Sequence, residues 1–306
     1  MSSSSTITLL QTVDWAKRFS FKRPQSNGNF NEPAITNANL ILQTIVGPPF
    51  AWRWNRVITG FITIPGQQDY TIFNYLASTA VTKGWFAVDS NGNSQLATTA
   101  GTTGSSAPTW NSTTTGTTTD GTVVWTNQGP INTPVNTTYS FLWVETSSVQ
   151  HPSTQNLEGG WIEMTSHRVL GLDSSLERPL RLAAQKDDGL GNITFRLMPV
   201  PDIAYPIAIT LQEKPPLFTS LSQTWAPIPD EYARLYSWGF LSLSWLFADD
   251  PRFQTANNKF VADLLATSEG LSETDRNVFR NNWQQITGQP IGYAATQNQG
   301  FQGRAA

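Results

Sequence analysis

Residues 229–285 carry the most regular pattern in the chain, with apolar side chains recurring at three- and four-residue spacing between short breaks. The spacing predicts three helices. Pro229-Asp230-Glu231 opens the first, since proline suits the first helical position and carboxylates face the positive end of the helix dipole. Tyr232, Leu235, Tyr236, Leu243, Leu246 and Phe247 form its apolar stripe. Asp250-Pro251 stops that helix and starts a second, which carries Phe253, Phe260, Val261, Leu264 and Leu265 and ends at Gly270. Ser272 with Asp275 resembles a capping box for the third, which carries Phe279 and Trp283 and ends before Gly288 and Pro290. Connections this short make neighbours antiparallel, so a compact helical bundle is expected.

Two more helices are expected at the other end. Residues 6–19 offer Leu9, Leu10, Val13 and Trp15, and residues 33–46 offer Ile35, Leu40, Ile41, Leu42 and Ile45 behind Pro33. Gly47-Pro48-Pro49 terminates the second of them. The stretch that follows is aromatic and basic. The favoured reading makes Trp52 and Trp54 anchors between helices and strands; the competing one has Arg53 and Arg56 line a surface that meets phosphate or another subunit. From Val57 the pattern turns to strands, over 57–64, 70–73, 141–145, 161–165, 193–199 and 207–213, with turn composition at 65–69 and 187–192.

The expected fold class is therefore α+β: a helical bundle from N- and C-terminal helices, a β-rich middle domain carrying a small inserted β module, and an extended C-terminal tail. The boundaries expected are 1–56 and 228–285 for the bundle, 57–82 with 131–227 for the β domain, 83–130 for the insert and 286–306 for the tail. The insert is dense in threonine, serine and glycine, with Lys83, Asp89 and Asp120 its only charges. Trp85, Trp110 and Trp125 each read as anchoring a short strand. Two roles compete for them: stacking on sugar rings at a surface, or forming the module's own core, which a module of this size needs.

Composition narrows the function classes. Only 13% of the 306 residues are charged, against about 25% in ordinary globular chains, and the net charge is −3. A dedicated nucleic-acid binder needs clustered cations, so that class is disfavoured. With no cysteine, disulfides, thiolate nucleophiles and cysteine-bound zinc are excluded. No signal peptide or membrane span is expected, so the chain reads as a soluble product of a cytoplasm. His151 and His167 stand alone, and Asp187/Asp188, Asp249/Asp250 and Asp230/Glu231 each have a simpler role as turn or cap. No catalytic, cofactor or metal residues are expected, and neither is enzymatic activity.

Several segments carry a family resemblance. GWFAVDSNG and TTAGTTGSSAPTWNSTTTGTTTDGTVVWTNQG, within the insert, resemble a β module that recurs in phage structural and tail proteins. PPFAWRWNR, then FITIPGQQDYTI, and finally IPDEYARLYSWGFLSLSWLFADDPRFQTANNKFVADLLATSEG resemble the head-to-tail adaptor proteins (connector, tail-tubular A-like) of short-tailed phages. The resemblance covers nearly the whole chain, although many adaptors are shorter. It implies a ring of copies, typically a dodecamer, beneath the portal at the capsid vertex. Such a ring extends the DNA channel, touches the genome only transiently, and supports tail nozzle and fibre proteins. It also implies a C-terminal extension that docks onto the portal. In this sequence the matching tail lacks helical periodicity yet keeps Ile286, Ile291, Tyr293 and Phe301 as spaced apolar anchors, with Arg304 its only charge. Two other classes remain open: a fibre or receptor-binding protein that uses the tryptophan module on cell-surface glycans, and a wall-degrading tail enzyme.

Overall fold

The computed structural model describes residues 5–19, 31–150, 160–246, 251–268 and 271–287. The chain divides into two compact units, Met1–Asn55 with Pro215–Ala306, and Arg56–Lys214.

Among its described residues the second unit is built mainly of β strands. Its strands are β1 (Arg56–Ile62), β2 (Asp69–Ile72), β3 (Ala80–Val81), β4 (Phe86–Val88), β5 (Asn93–Thr99), β6 (Gly101–Thr102) and β7 (Thr117–Asp120). There follow β8 (Val123–Pro130), β9 (Phe141–Gln150), β10 (Trp161–His167), β11 (Arg181–Asp187), β12 (Ile193–Met198) and β13 (Pro206–Glu213). Eleven of them form one mixed sheet in the order β1-β13-β9-β10-β11-β12-β2-β4-β5-β8-β7, and β3 pairs with β6 apart from it. The pairings are antiparallel except β10 with β11 and β2 with β4. Alternation sets the inner face. Ile193, Phe195 and Leu197 of β12 and Ile207, Ile209 and Leu211 of β13 are buried in one core, together with Val57 and Phe61 of β1 and Phe86 of β4. Phe61 stacks on Tyr70 at 4.5 Å, and the Ile62 N–H donates to Ser94 Oγ of β5 at 3.2 Å. The sheet thus curls until β1 meets β4 and β5.

Two hairpins of this sheet use the same five-residue turn, Asp89-Ser-Asn-Gly-Asn93 between β4 and β5 and Asp188-Gly-Leu-Gly-Asn192 between β11 and β12. In each, one aspartate oxygen accepts the backbone N–H groups two and four residues on, at 2.8 to 3.1 Å. The other oxygen accepts the amide of the closing asparagine, at 3.1 and 2.6 Å. The fourth residue has φ of +79° at Gly92 and +93° at Gly191, a conformation only glycine adopts without strain.

The first unit holds α1 (Leu9–Lys17), α2 (Asn31–Val46), α3 (Ala233–Leu246), α4 (Phe253–Thr267) and α5 (Glu273–Thr287). Thr8 and Gln11 form a reciprocal capping box at α1. A Cβ at Gly239 of α3 would lie 2.9 Å from both Ile41 of α2 and Phe260 of α4, so two helices cross α3 at its one residue without a side chain. Lys259 sits 4.2 Å over the Trp238 ring and Arg252 4.6 Å over Trp245, each pair seven residues from the other, as antiparallel α3 and α4 require. No helix among the described residues is long and apolar enough to cross a membrane.

The expected fold class is overturned. The body of the structure is the large mixed sheet; the helices are few, and they do not make a bundle at both termini. The expected insert is likewise not a separate module in its pairing, because β4, β5, β8 and β7 continue the main sheet beyond β2. The physical reason is the uneven visibility of the two periods. Helices of 14 to 16 residues such as α2 and α3 stand out, whereas β4 has 3 residues and β11 alternates poorly. The tail also begins later than expected, since α5 runs through Thr287 and takes in Ile286. Ile291, Tyr293, Phe301 and Arg304 lie outside the described residues, as do His151, Asp249, Asp250 and Gly270.

Candidate functional site

A cleft of about 580 Å³ lies on the β unit's surface where β1 begins. β1 is an edge strand, and its free side is met by a loop rather than by another strand. The Ile58 N–H donates to Asn136 Oδ1 at 2.9 Å, and the Asn136 N–H returns to the Ile58 carbonyl at 2.6 Å. This mimics one rung of a ladder and blunts the edge. Beside it the apolar Ile58, Pro134 and Val135 line the cleft together with Thr146 and Thr210. At the rim Arg56 clasps Glu145 with both guanidinium arms, the Nε–Oε2 distance being 2.7 Å. Gln212 donates to the same Oε2 at 2.6 Å. Glu145 is drawn inward, 12% exposed, while Arg56 keeps 35% of its side chain in solvent. The rim therefore shows more of the cation than of its partner.

A second surface lies on the crossover between the parallel pair β10 and β11. Residues 168–180 have no regular structure beyond a single bridge, yet the segment is pinned along its length. The Leu170 carbonyl accepts from Gln185 and Arg196, both at 3.1 Å, and the Gly171 carbonyl accepts from Gln68 at 3.3 Å. Ser175 and Glu177 bracket Val200 by backbone hydrogen bonds of 3.0 and 2.9 Å. From this fixed backbone Val169, Leu172 and Leu176 project with 74, 82 and 60% of their surface exposed, and Leu180 is exposed beside them. Isolated exposed leucines are ordinary; here four aliphatics are exposed on one pinned loop.

The insert tryptophans are packed with one another. Trp125 is fully buried, and Trp85 and Trp110 pack partly buried against the same core. Trp110 meets Trp125 at 5.8 Å and Tyr75 at 6.0 Å, while Phe73 lies 6.0 Å from Trp85 and 6.1 Å from Trp125. Asp120, also buried, accepts from the Tyr75 hydroxyl at 3.0 Å and from the Gly104 N–H at 2.7 Å. His167 ends β10 and is exposed. Among the described residues no three His, Asp or Glu side chains come together as metal ligands.

No family model and no curated protein matches the chain.

The sequence singled out Arg56 but not its cleft, because Glu145, Asn136 and Thr210 are brought to it only by sheet register. It missed the 168–180 loop entirely. The one available signal was four aliphatics at irregular spacing among Gly171, Ser174, Ser175 and Pro179, which matches neither a helix nor a strand. Asp230, read from sequence as a dipole partner, does more. Its carboxylate accepts from Ser5 Oγ at 2.8 Å, from Thr6 Oγ1 at 2.5 Å and from the Thr6 N–H at 3.0 Å, which ties residues 5–7 to the start of the C-terminal helices. The hydroxyls of Thr6 and Ser5 hold its pKa at about 2, well below the usual carboxylate value.

Proposed function

We propose that the chain is a virion structural protein of a short-tailed phage, the adaptor that forms a ring between the portal and the tail nozzle and fibres. In this reading its partners are further copies of itself, the portal and the proteins of the tail, and its place is the head–tail interface of the capsid vertex. The genome passes along its channel without being held. The chain performs no catalysis there.

One observation supports the reading most. Two of the segments that carry the resemblance, PPFAWRWNR and IPDEYARLYSW, meet in a single aromatic cluster: Trp52 lies 5.5 Å from Trp54 and 5.5 Å from Tyr232, and Trp54 lies 6.0 Å from Tyr232. The Trp52 indole N–H donates to the Ile45 carbonyl at 2.6 Å, so the cluster also grips the end of α2. Segments nearly 180 residues apart thus form one structural unit, as expected if they resemble the family for a common reason. The pinned aliphatic loop, which needs a partner to cover it, is consistent with an assembly component.

The C-terminal segment gives the test. Deleting residues 288–306 leaves α5 whole, including Thr287, whose hydroxyl donates to the Trp283 carbonyl at 2.9 Å. The truncated protein is expected to remain folded, with an unchanged circular dichroism spectrum, and to fail to join portal-bearing capsids. Normal incorporation of the truncated chain would sink the docking role.

A further inference from the structure

We infer that the cleft at the start of β1 binds a neutral saccharide, with Thr146 and Thr210 taking its hydroxyl groups. The inference goes beyond the adaptor reading and does not depend on it.

A β-bulge builds the site. β9 and β13 pair Thr146 with Thr210 and next Val144 with Leu211, which leaves Glu145 as the extra residue. Strict alternation would send Glu145 to the side of Ser147 and Val149, both of which are buried. The bulge instead keeps Glu145 and Thr146 together as lining residues of the cleft. Thr210 stands opposite Thr146 on one side and Ile58 on the other, so these three lining residues form one row across the sheet. Facing Cβ atoms in such a row lie about 4.5–5.5 Å apart, close enough for both threonine hydroxyls to reach one ligand oxygen between them.

Charge then narrows the ligand. Among the described residues Arg56 and Glu145 are the only ionisable groups that line the cleft, and each neutralises the other. Neither an anion nor a cation is favoured there. The pair is also braced, since Arg56 clasps Glu145 through both guanidinium arms and Gln212 donates to the same carboxylate at 2.6 Å. A polar site held this firmly loses little freedom when a ligand arrives.

Hydrogen-bonding capacity narrows it further. Among the described residues the hydroxyls of Thr146 and Thr210 have no protein partner, and neither has the Asn136 side-chain amino group, whose oxygen is the part spent on Ile58. A threonine hydroxyl both donates and accepts, as a sugar hydroxyl does. Ile58, Pro134 and Val135 supply apolar surface for the C–H face of a sugar ring, and about 580 Å³ is an ordinary size for a small-ligand site. The competing neutral ligand is a peptide strand. β1 is closed to it at this point, because the Ile58 N–H and carbonyl that an added strand would pair with are both held by Asn136.

The test uses the full-length chain in saturation-transfer NMR. The probes are neutral oligosaccharides of glucose, galactose, mannose and N-acetylglucosamine, sialylated and sulfated oligosaccharides, and a capped alanine tetrapeptide. Binding of at least one neutral oligosaccharide is expected, with the same strength at low and high salt, because no net charge is neutralised. Thr146→Val with Thr210→Val removes both hydroxyls at nearly constant size on half-buried strand positions, and is expected to weaken binding about tenfold in a protein that stays folded. Asn136→Asp, which keeps the acceptor for the Ile58 N–H and removes the free donor, is expected to weaken the same ligand. Failure of every neutral oligosaccharide to bind at millimolar concentration, binding confined to the charged ones, capture of the peptide alone, or binding that survives both variants would each overturn the assignment.

Discussion

Asp230 shows how much one side chain can decide. Three hydrogen-bonding residues more than 220 positions away in sequence converge on its carboxylate, so the N-terminal segment is held by acceptor oxygens as well as by the packing of Leu9. Because the folded pKa is about 2 and the ordinary value is 3.8, the folded state favours the ionised form. The stabilisation is complete above the ordinary value and is lost as pH falls through the folded one. Asp230→Asn is therefore expected to melt at a lower temperature than the wild type at neutral pH, with the gap narrowing between pH 3.8 and about 2 as the wild-type carboxylate protonates. A gap that stays constant across that window would show that the carboxylate's charge is not what binds residues 5–7. Little of this could be read in advance. Pro229-Asp230-Glu231 carries a clear helix-start signal, and the local reading satisfied it; nothing in the sequence pairs Asp230 with Ser5 and Thr6. The opposite holds for Asp188 and Asn192, whose turn composition was plain because all its hydrogen bonds are local. Ser272 and Asp275 behaved in the same way, each bonding to the other across α5's first turn.

Among the elements, legibility followed length and burial pattern. Among the described residues the five helices stand where the apolar spacing puts them, to within a few residues, and so do β1, β2, β10, β12 and β13, while β9 runs to Gln150, five residues beyond the expected strand. β11 was missed because Arg181–Asp187 reads as one apolar group followed by polar ones; its burial depends on neighbours in the sheet. The insert misled in another way. Its threonine- and glycine-rich composition suggested a self-contained module, yet β4 joins β2 through the pairing of Ile72 with Phe86, and that register is invisible in sequence. Of its three expected strand anchors only Trp125 lies on a strand, while Trp85 precedes β4 and Trp110 lies in the connection from β6 to β7. Trp125, on β8, is enclosed by Phe73 and Trp110 and is fully buried. Trp125→Ala is expected to destabilise the protein by about 3–5 kcal/mol, the range for emptying a buried aromatic site. Chemical denaturation with a tryptophan fluorescence readout measures it. A cost near zero would mean that the aromatic cluster is not this region's core, and would return the tryptophans to a surface role.

At the scale of the whole molecule, the chain closes its first unit from both termini and inserts the β unit between them. The expected helical bundle is replaced by a large mixed sheet, which makes up most of the described structure. Two surface features belong to that sheet: an edge cleft at one end of β1 and a pinned aliphatic loop beyond the other. Neither has a sequence signature, since the cleft is assembled from β1, β9, β13 and the 134–136 segment, and the loop's exposure depends on the strands that pin it. The central claim concerns where the folded chain resides and how many copies join. Electron cryo-microscopy of assembled particles tests it most directly. The account predicts a closed ring of this chain between portal and tail. Density for the chain at the fibre tips, or a vertex that lacks it, would contradict the account.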